Sequence, residues 1–210
     1  MKANNFELVL CDLQGDLCNW FTNKFEGCHD VTVHHGDFMQ LDFDCIVSAA
    51  NSFGLMDGGV DGAITMYFGE QLQQRIQKRI IAEYRGEQPV GTSFIIKGSE
   101  TGSQYVAHTP TMRVPKDIRG TDNVYQAMKA MLIAVNDHNE AYDDGLLDDS
   151  HSYIRRVVCT GLGTFCGKVG YERAATEMRL AYHSVTNPPT TIDWNLANDR
   201  NNAVFLATVI

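Results

Sequence analysis

A chain of 210 residues that is 44% hydrophobic and 20% charged has enough length and apolar content for a packed core, which excludes general disorder. Its formal net charge is −9 and no basic stripe runs through it, so strong nucleic-acid binding is not expected. An anionic ligand stays possible, because backbone amides and helix N-termini hold phosphate without Lys or Arg.

FELVLCDL (6–13) predicts a first strand, and DLQGDLCNWFTNKF after it a helix, with Leu17, Trp20, Phe21 and Phe25 near helical spacing. VTVHH (31–35) alternates as a short strand and stops at Gly36-Asp37. DCIVSAA (44–50) is almost continuously apolar, as expected of a strand buried on both faces. After a glycine loop, two helical stretches cover about Val60 to Tyr84.

SFIIKG and YVAHTPTM read as strands, and NVYQAMKAMLIAVNDHN as a long amphipathic helix. DDGLLDDSHS is an acidic, solvated connection. IRRVVCTGLG is a strand entering a second glycine loop, and ERAATEMRLAYHSV is the helix behind it. In the tail, AVFLATV (203–209) reads as a short final strand.

Strands alternating with helices predict a three-layer α/β/α sandwich with a mixed, largely parallel central sheet. No linker or internal repeat divides the chain, so a single domain over 1–210 is expected. Six cysteines lie at 11, 18, 28, 45, 159 and 166 without a C-x-x-C pair, several within apolar runs. We read them as free thiols in a reducing compartment, with no disulfides and no metal site. No stretch approaches the roughly 18 apolar residues of a membrane span, and the N-terminus lacks a leader pattern. A cytoplasmic protein without membrane contact is expected.

In α/β sheets ligands sit beyond the carboxyl ends of the strands. The two most glycine-rich loops, Asn51 to Gly62 and Thr160 to Gly170, lie at two such ends, and each leads into a helix. Free amides and the positive end of a helix dipole would then face a phosphate or diphosphate. Neither a G-x-x-x-x-G-K-S/T loop nor an early G-x-G-x-x-G is present, which disfavours a P-loop ATPase and a Rossmann dehydrogenase.

VTVHHGDF, DCIVSAAN, GGVDGAI and TGLGTFCG, in this order and spacing, resemble the macrodomain family, over about residues 31 to 182. The resemblance implies binding of ADP-ribose or an ADP-ribosylated substrate, with no cofactor. It also implies hydrolysis of ester- or phosphate-linked ADP-ribose, such as mono-ADP-ribosyl protein, O-acetyl-ADP-ribose or ADP-ribose 1''-phosphate. It places Asp37 at the adenine amino group with Phe38 beside it, and Ala50 and Asn51 at the distal ribose. Gly58, Gly59 and Val60 would wrap the diphosphate and the distal ribose. Gly161, Leu162, Gly163, Thr164, Phe165, Cys166 and Gly167 would form the second wall.

Asp61 stands ten residues after Asn51, the separation of the Asn and Asp linked to catalysis in one hydrolase branch. The two are therefore the catalytic candidates, with the carboxylate set to polarise water.

The chain departs from that pattern in five places, one of them Phe165 and Cys166 in the second loop, where a Gly and a small residue are common. Ser48 replaces the first Asn of N-A-A-N, at a position expected to point away from the ribose. Asp57 replaces a glycine of the G-G-G-V run. Thr65 stands where the hydrolase branch often carries His, and the second loop lacks the Asp of a branch that works through a covalent Lys. A non-catalytic reader of ADP-ribose or a related nucleotide is the alternative. A domain that keeps the fold but binds a protein or another signalling nucleotide is a third. Read one at a time, Asp37 is a cap, Asn51 an Asx turn and Asp61 a first-turn helix acid. His34, His35 and His108 read as structural, and Arg113 as an ion-pair partner.

Overall fold

The computed structural model describes residues 5–209. Six strands form one sheet: β1 (Glu7–Asp12), β2 (Val31–His35), β3 (Cys45–Asn51), β4 (Phe94–Lys97), β5 (Tyr105–Met112) and β6 (Arg156–Cys159). Their order is β2-β1-β6-β3-β5-β4. Every neighbouring pair is parallel except β4 with β5. The helices are α1 (Gly15–Lys24), α2 (Gly59–Phe68), α3 (Gln71–Tyr84), α4 (Asn123–Asp143), α5 (Tyr171–Thr186) and α6 (Trp194–Thr208). This is the mixed, mainly parallel sandwich expected from the alternation of periods.

The near-continuous apolar runs have a direct structural cause. Successive side chains of a strand point to opposite faces, and here both faces are covered. Leu8 and Leu10 of β1 and Val47 of β3 pack with Leu17, Met128 and Met178 of α1, α4 and α5. Their neighbours in sequence, Val9 and Ile46, pack on the other face with Ile64, Ile76 and Ile80 of α2 and α3. Each such side chain taken from water contributes about 1.5–3 kcal/mol, so the central strands hold both layers on the sheet.

Pro110 lies within β5, where a missing N–H would break a central ladder. It is tolerated because β4 is short: its pairing with β5 reaches only from Tyr105 to His108. The Pro110 position meets a neighbouring strand only at Ala50 of β3.

The tail overturns one expectation. AVFLATV lies in α6 rather than in a strand. The carboxylate of Asp193 accepts from Leu196 N at 2.9 Å and caps the first turn. A seven-residue apolar run does not by itself distinguish a strand from one face of a helix. Only Ala207 of α6 is fully buried, so this helix rests on the surface against α5.

Candidate functional site

At the carboxyl end of β3 the register shifts between Ala50 and Asn51, and the chain leaves the sheet. Asn51 organises this departure. Its Oδ1 accepts from Phe53 N at 3.1 Å and from Leu55 N at 3.3 Å, while its Nδ2 donates to Leu55 O at 2.7 Å. The Asx turn expected of an isolated Asn is therefore present. An amide nitrogen carries two hydrogens, so one donor remains beyond the bond to Leu55.

The loop then enters α2 through Gly58, whose N-cap position lacks a side-chain hydrogen bond, and Gly59 at φ +57°. A helix start without a side-chain cap leaves amide donors and the positive end of the dipole open to a ligand. The second loop does the same. It leaves β6, folds back through Val169 N to Gly163 O at 3.1 Å, and starts α5 at Gly170, again without a side-chain cap.

Two glycines of the second loop are sterically required. Gly163 has φ +70°, and a Cβ there would stand 2.9 Å from Val124 Cγ2. At Gly167 a Cβ would stand 2.4 Å from the Gly163 carbonyl oxygen. We expect Gly167→Ala to force the loop apart and to lower the melting temperature by several degrees, measured by differential scanning calorimetry. An unchanged melting temperature would show that the loop relaxes at no cost.

The two loops form the walls of two adjoining cavities. One is lined by Ala50, Asn51, Gly58, Asp61 and Gly163, with Cys166 and Gly167 also on its surface. The other is lined by Asp12, Gly36, Asp37, Phe38 and Tyr171. Gly59, Val60, Gly161, Thr164 and Phe165 line both, so the glycine loops meet where the cavities join. Phe165 is 83% exposed and stands at this junction.

All but one of the candidate residues line one cavity or the other. Leu162 is the exception: it is fully buried in the core beneath the loop. Asp37 spends one oxygen as the cap of a 3-10 turn, accepting from Met39 N at 3.0 Å. Arg113 pairs with Glu87 through two hydrogen bonds, at 2.6 and 2.9 Å. His108 is buried against Gln88, and burial holds its pKa down at about 3.

Asp61 is buried, and its Oδ1 accepts from Ser48 Oγ at 2.6 Å. Burial raises its pKa to about 6; the Ser48 hydrogen bond opposes the rise and the charge of Asp57 adds to it. Ser48, expected outside the site, is thus the partner of its buried acid. Thr65 donates to the carbonyls of Met56 at 3.3 Å and Asp61 at 2.9 Å.

Other residues of the site escaped sequence reasoning. Asp12, at the carboxyl end of β1, accepts from Gln14 N at 3.0 Å and from Gly161 N at 3.1 Å, tying the first strand to the second loop. Thr111 and Met112, the last residues of β5, and Pro115 just beyond it close the Asn51 cavity. The available signal was position at a strand's carboxyl end, which attention to glycine passed over.

The macro domain family model matches residues 47–178. An uncharacterized protein of Aquifex aeolicus is 31% identical over 150 residues, covering 71% of this chain and 78% of its own. An O-acetyl-ADP-ribose deacetylase of Salmonella newport is 32% identical, covering 69% of this chain and 71% of its own. One from Citrobacter koseri is 39% identical, but that match covers only 38% of this chain and 44% of its own. Among solved structures, the Oceanobacillus iheyensis macrodomain with ADP superposes with a TM-score of 0.53 at 20% identity, covering 83% of this chain and 86% of its own. The macrodomain of Mycobacterium tuberculosis DarG gives 0.51 at 17%, covering 72% and 89%. Matched from within β3 into α5 and folded like the solved macrodomains, the chain belongs to the macrodomain family.

Proposed function

We propose that this protein binds ADP-ribose across the two joined cavities and hydrolyses an ester or phosphate linked to its distal ribose. The observation that carries the reading is the junction of the cavities between two helix-initiating glycine loops. A ligand with an anionic centre between two nucleoside- or ribose-bearing ends suits it. The diphosphate would meet the open amides, the adenosine would lie beside Asp37 and Phe38, and the distal ribose beside Asn51 and Asp61. Relatives named O-acetyl-ADP-ribose deacetylase, and a related structure with ADP, support this reading.

Asp61 is the general base. A carboxyl group with a pKa of about 6 is mostly ionised near pH 7 and still basic enough to take a proton from water. As it does so, the water oxygen bonds to the acyl carbon, the ribosyl oxygen leaves, and the proton passes to that oxygen. The products are a ribose hydroxyl and a free acid. Asn51 positions the ribose with its remaining amide hydrogen.

A reader without turnover is the second reading. It is favoured by Thr65, whose hydroxyl is engaged with backbone carbonyls where a hydrolase branch carries His. Calorimetric titration with ADP-ribose, with AMP and ADP as controls, tests the shared premise. The expected result is a Kd in the micromolar range or tighter for ADP-ribose, clearly below that for AMP. Equal affinity for ADP-ribose and AMP, or no binding, would overturn both readings.

A further inference from the structure

The cavity that holds Asn51 has an unbalanced electrostatic lining. Among the described residues that form it there is no Lys, Arg or His, while two carboxylates, Asp57 and Asp61, are present. Asp57 stands where the family pattern carries glycine, directly before the N-cap Gly58 of α2. It is exposed, while Asp61 is buried. Both nevertheless line the same cavity. The Asp57 carbonyl is 3.8 Å from where a Gly62 Cβ would stand, one residue beyond Asp61. Arginines that follow β5 are already engaged, Arg113 with Glu87 and Arg119 with Asp117.

The glycine loops can therefore neutralise a diphosphate at the junction of the cavities, but no cationic side chain lines the Asn51 cavity to neutralise a second anionic group. We infer that Asp57 is a selectivity residue: it rejects ADP-ribose derivatives carrying phosphate on the distal ribose and admits those carrying an uncharged acyl or a cationic group. The inference rests on the proposed placement of ADP-ribose and narrows it, leaving acyl esters and removing the 1''-phosphate. Like-charge repulsion between a carboxylate on the cavity wall and a phosphate, at an effective dielectric constant between those of a protein surface and water, changes affinity by about tenfold. Because Asp57 is exposed, salt screens the effect.

The test is calorimetric titration of wild type, Asp57→Asn and Asp57→Gly with ADP-ribose and with ADP-ribose 1''-phosphate. The wild-type protein is expected to bind ADP-ribose about ten times more tightly than the 1''-phosphate. Both variants should close most of that gap, and 0.5 M salt should shrink it in wild type. Equal wild-type affinities, or a gap that persists in Asp57→Asn, would overturn the inference while leaving ADP-ribose binding intact. No binding of ADP-ribose by wild type would overturn the proposed function, and the selectivity role with it.

Discussion

Asp61→Asn is expected to abolish most hydrolysis of O-acetyl-ADP-ribose, by about 10²–10⁴-fold in kcat, while making the protein more stable near neutral pH. The loss follows from removing the base, since an amide cannot take a proton from water. The gain follows from linkage. Asp61 has a folded pKa of about 6 against a reference of 3.8, so the folded state holds its proton more tightly than the unfolded chain does. Below about pH 4 the group is protonated in both states and costs nothing. As pH rises from about 4 to 6 the unfolded chain ionises first and stability falls. Above about pH 6 the penalty is constant, at most about 3 kcal/mol for two pH units.

The variant keeps an oxygen to accept from Ser48 and carries no charge to bury. Urea unfolding at pH 4.5 and 7.5 should show the two proteins converging at the lower pH and the variant ahead by about 1–3 kcal/mol at the higher. In wild type, turnover should climb with pH through about 6 and then level off. A variant that still hydrolyses the ester at the wild-type rate would remove Asp61 from the mechanism.

Arg173→Met is expected to cost about 3–5 kcal/mol of stability, the largest single loss foreseen in this chain. Arg173 Nε donates to Glu177 Oε1 at 2.8 Å, and Glu177 is fully buried. The other carboxylate oxygen accepts from Tyr125 N at 3.1 Å, in the first turn of α4. Asp122 at the N-cap of that helix makes no side-chain capping bond, so Glu177 caps α4 from a neighbouring helix. Arg173 Nη2 also reaches Thr121 O at 2.5 Å, fastening α5 to the turn before α4.

Burial pushes the Glu177 pKa up, and the Arg173 guanidinium and the Tyr125 amide hold it down. Without the guanidinium an uncompensated carboxylate remains in the interior. The damage should therefore be greater at pH 8 than at pH 5, where Glu177 can take up a proton. Replacing both residues by apolar ones, Arg173→Met with Glu177→Leu, should recover much of the loss, because neither charge is then buried. A single-variant loss below about 1 kcal/mol in urea unfolding would mean that water reaches Glu177.

The order of strands and helices was legible because period and turn chemistry are local properties. DCIVSAA read as a strand buried on both faces, IRRVVCTGLG as a strand entering the second loop, and both glycine loops as helix entries; the structure agrees. AVFLATV was not legible, since a short apolar run fits either period, and the Asp193 cap that starts α6 lies ten residues upstream of it. The sequence by itself thus determined the mixed sheet, the family and the two glycine loops that line the cavities. Only the tertiary structure decided that Ser48 meets Asp61, that Asp12 binds the second loop, and that Asp57 shares a cavity with the buried acid. The first two of those contacts join residues 13 and 149 positions apart. The energies that matter there, burial of a carboxylate and its distance from other charges, depend on where the chain returns in space and not on any neighbour in sequence.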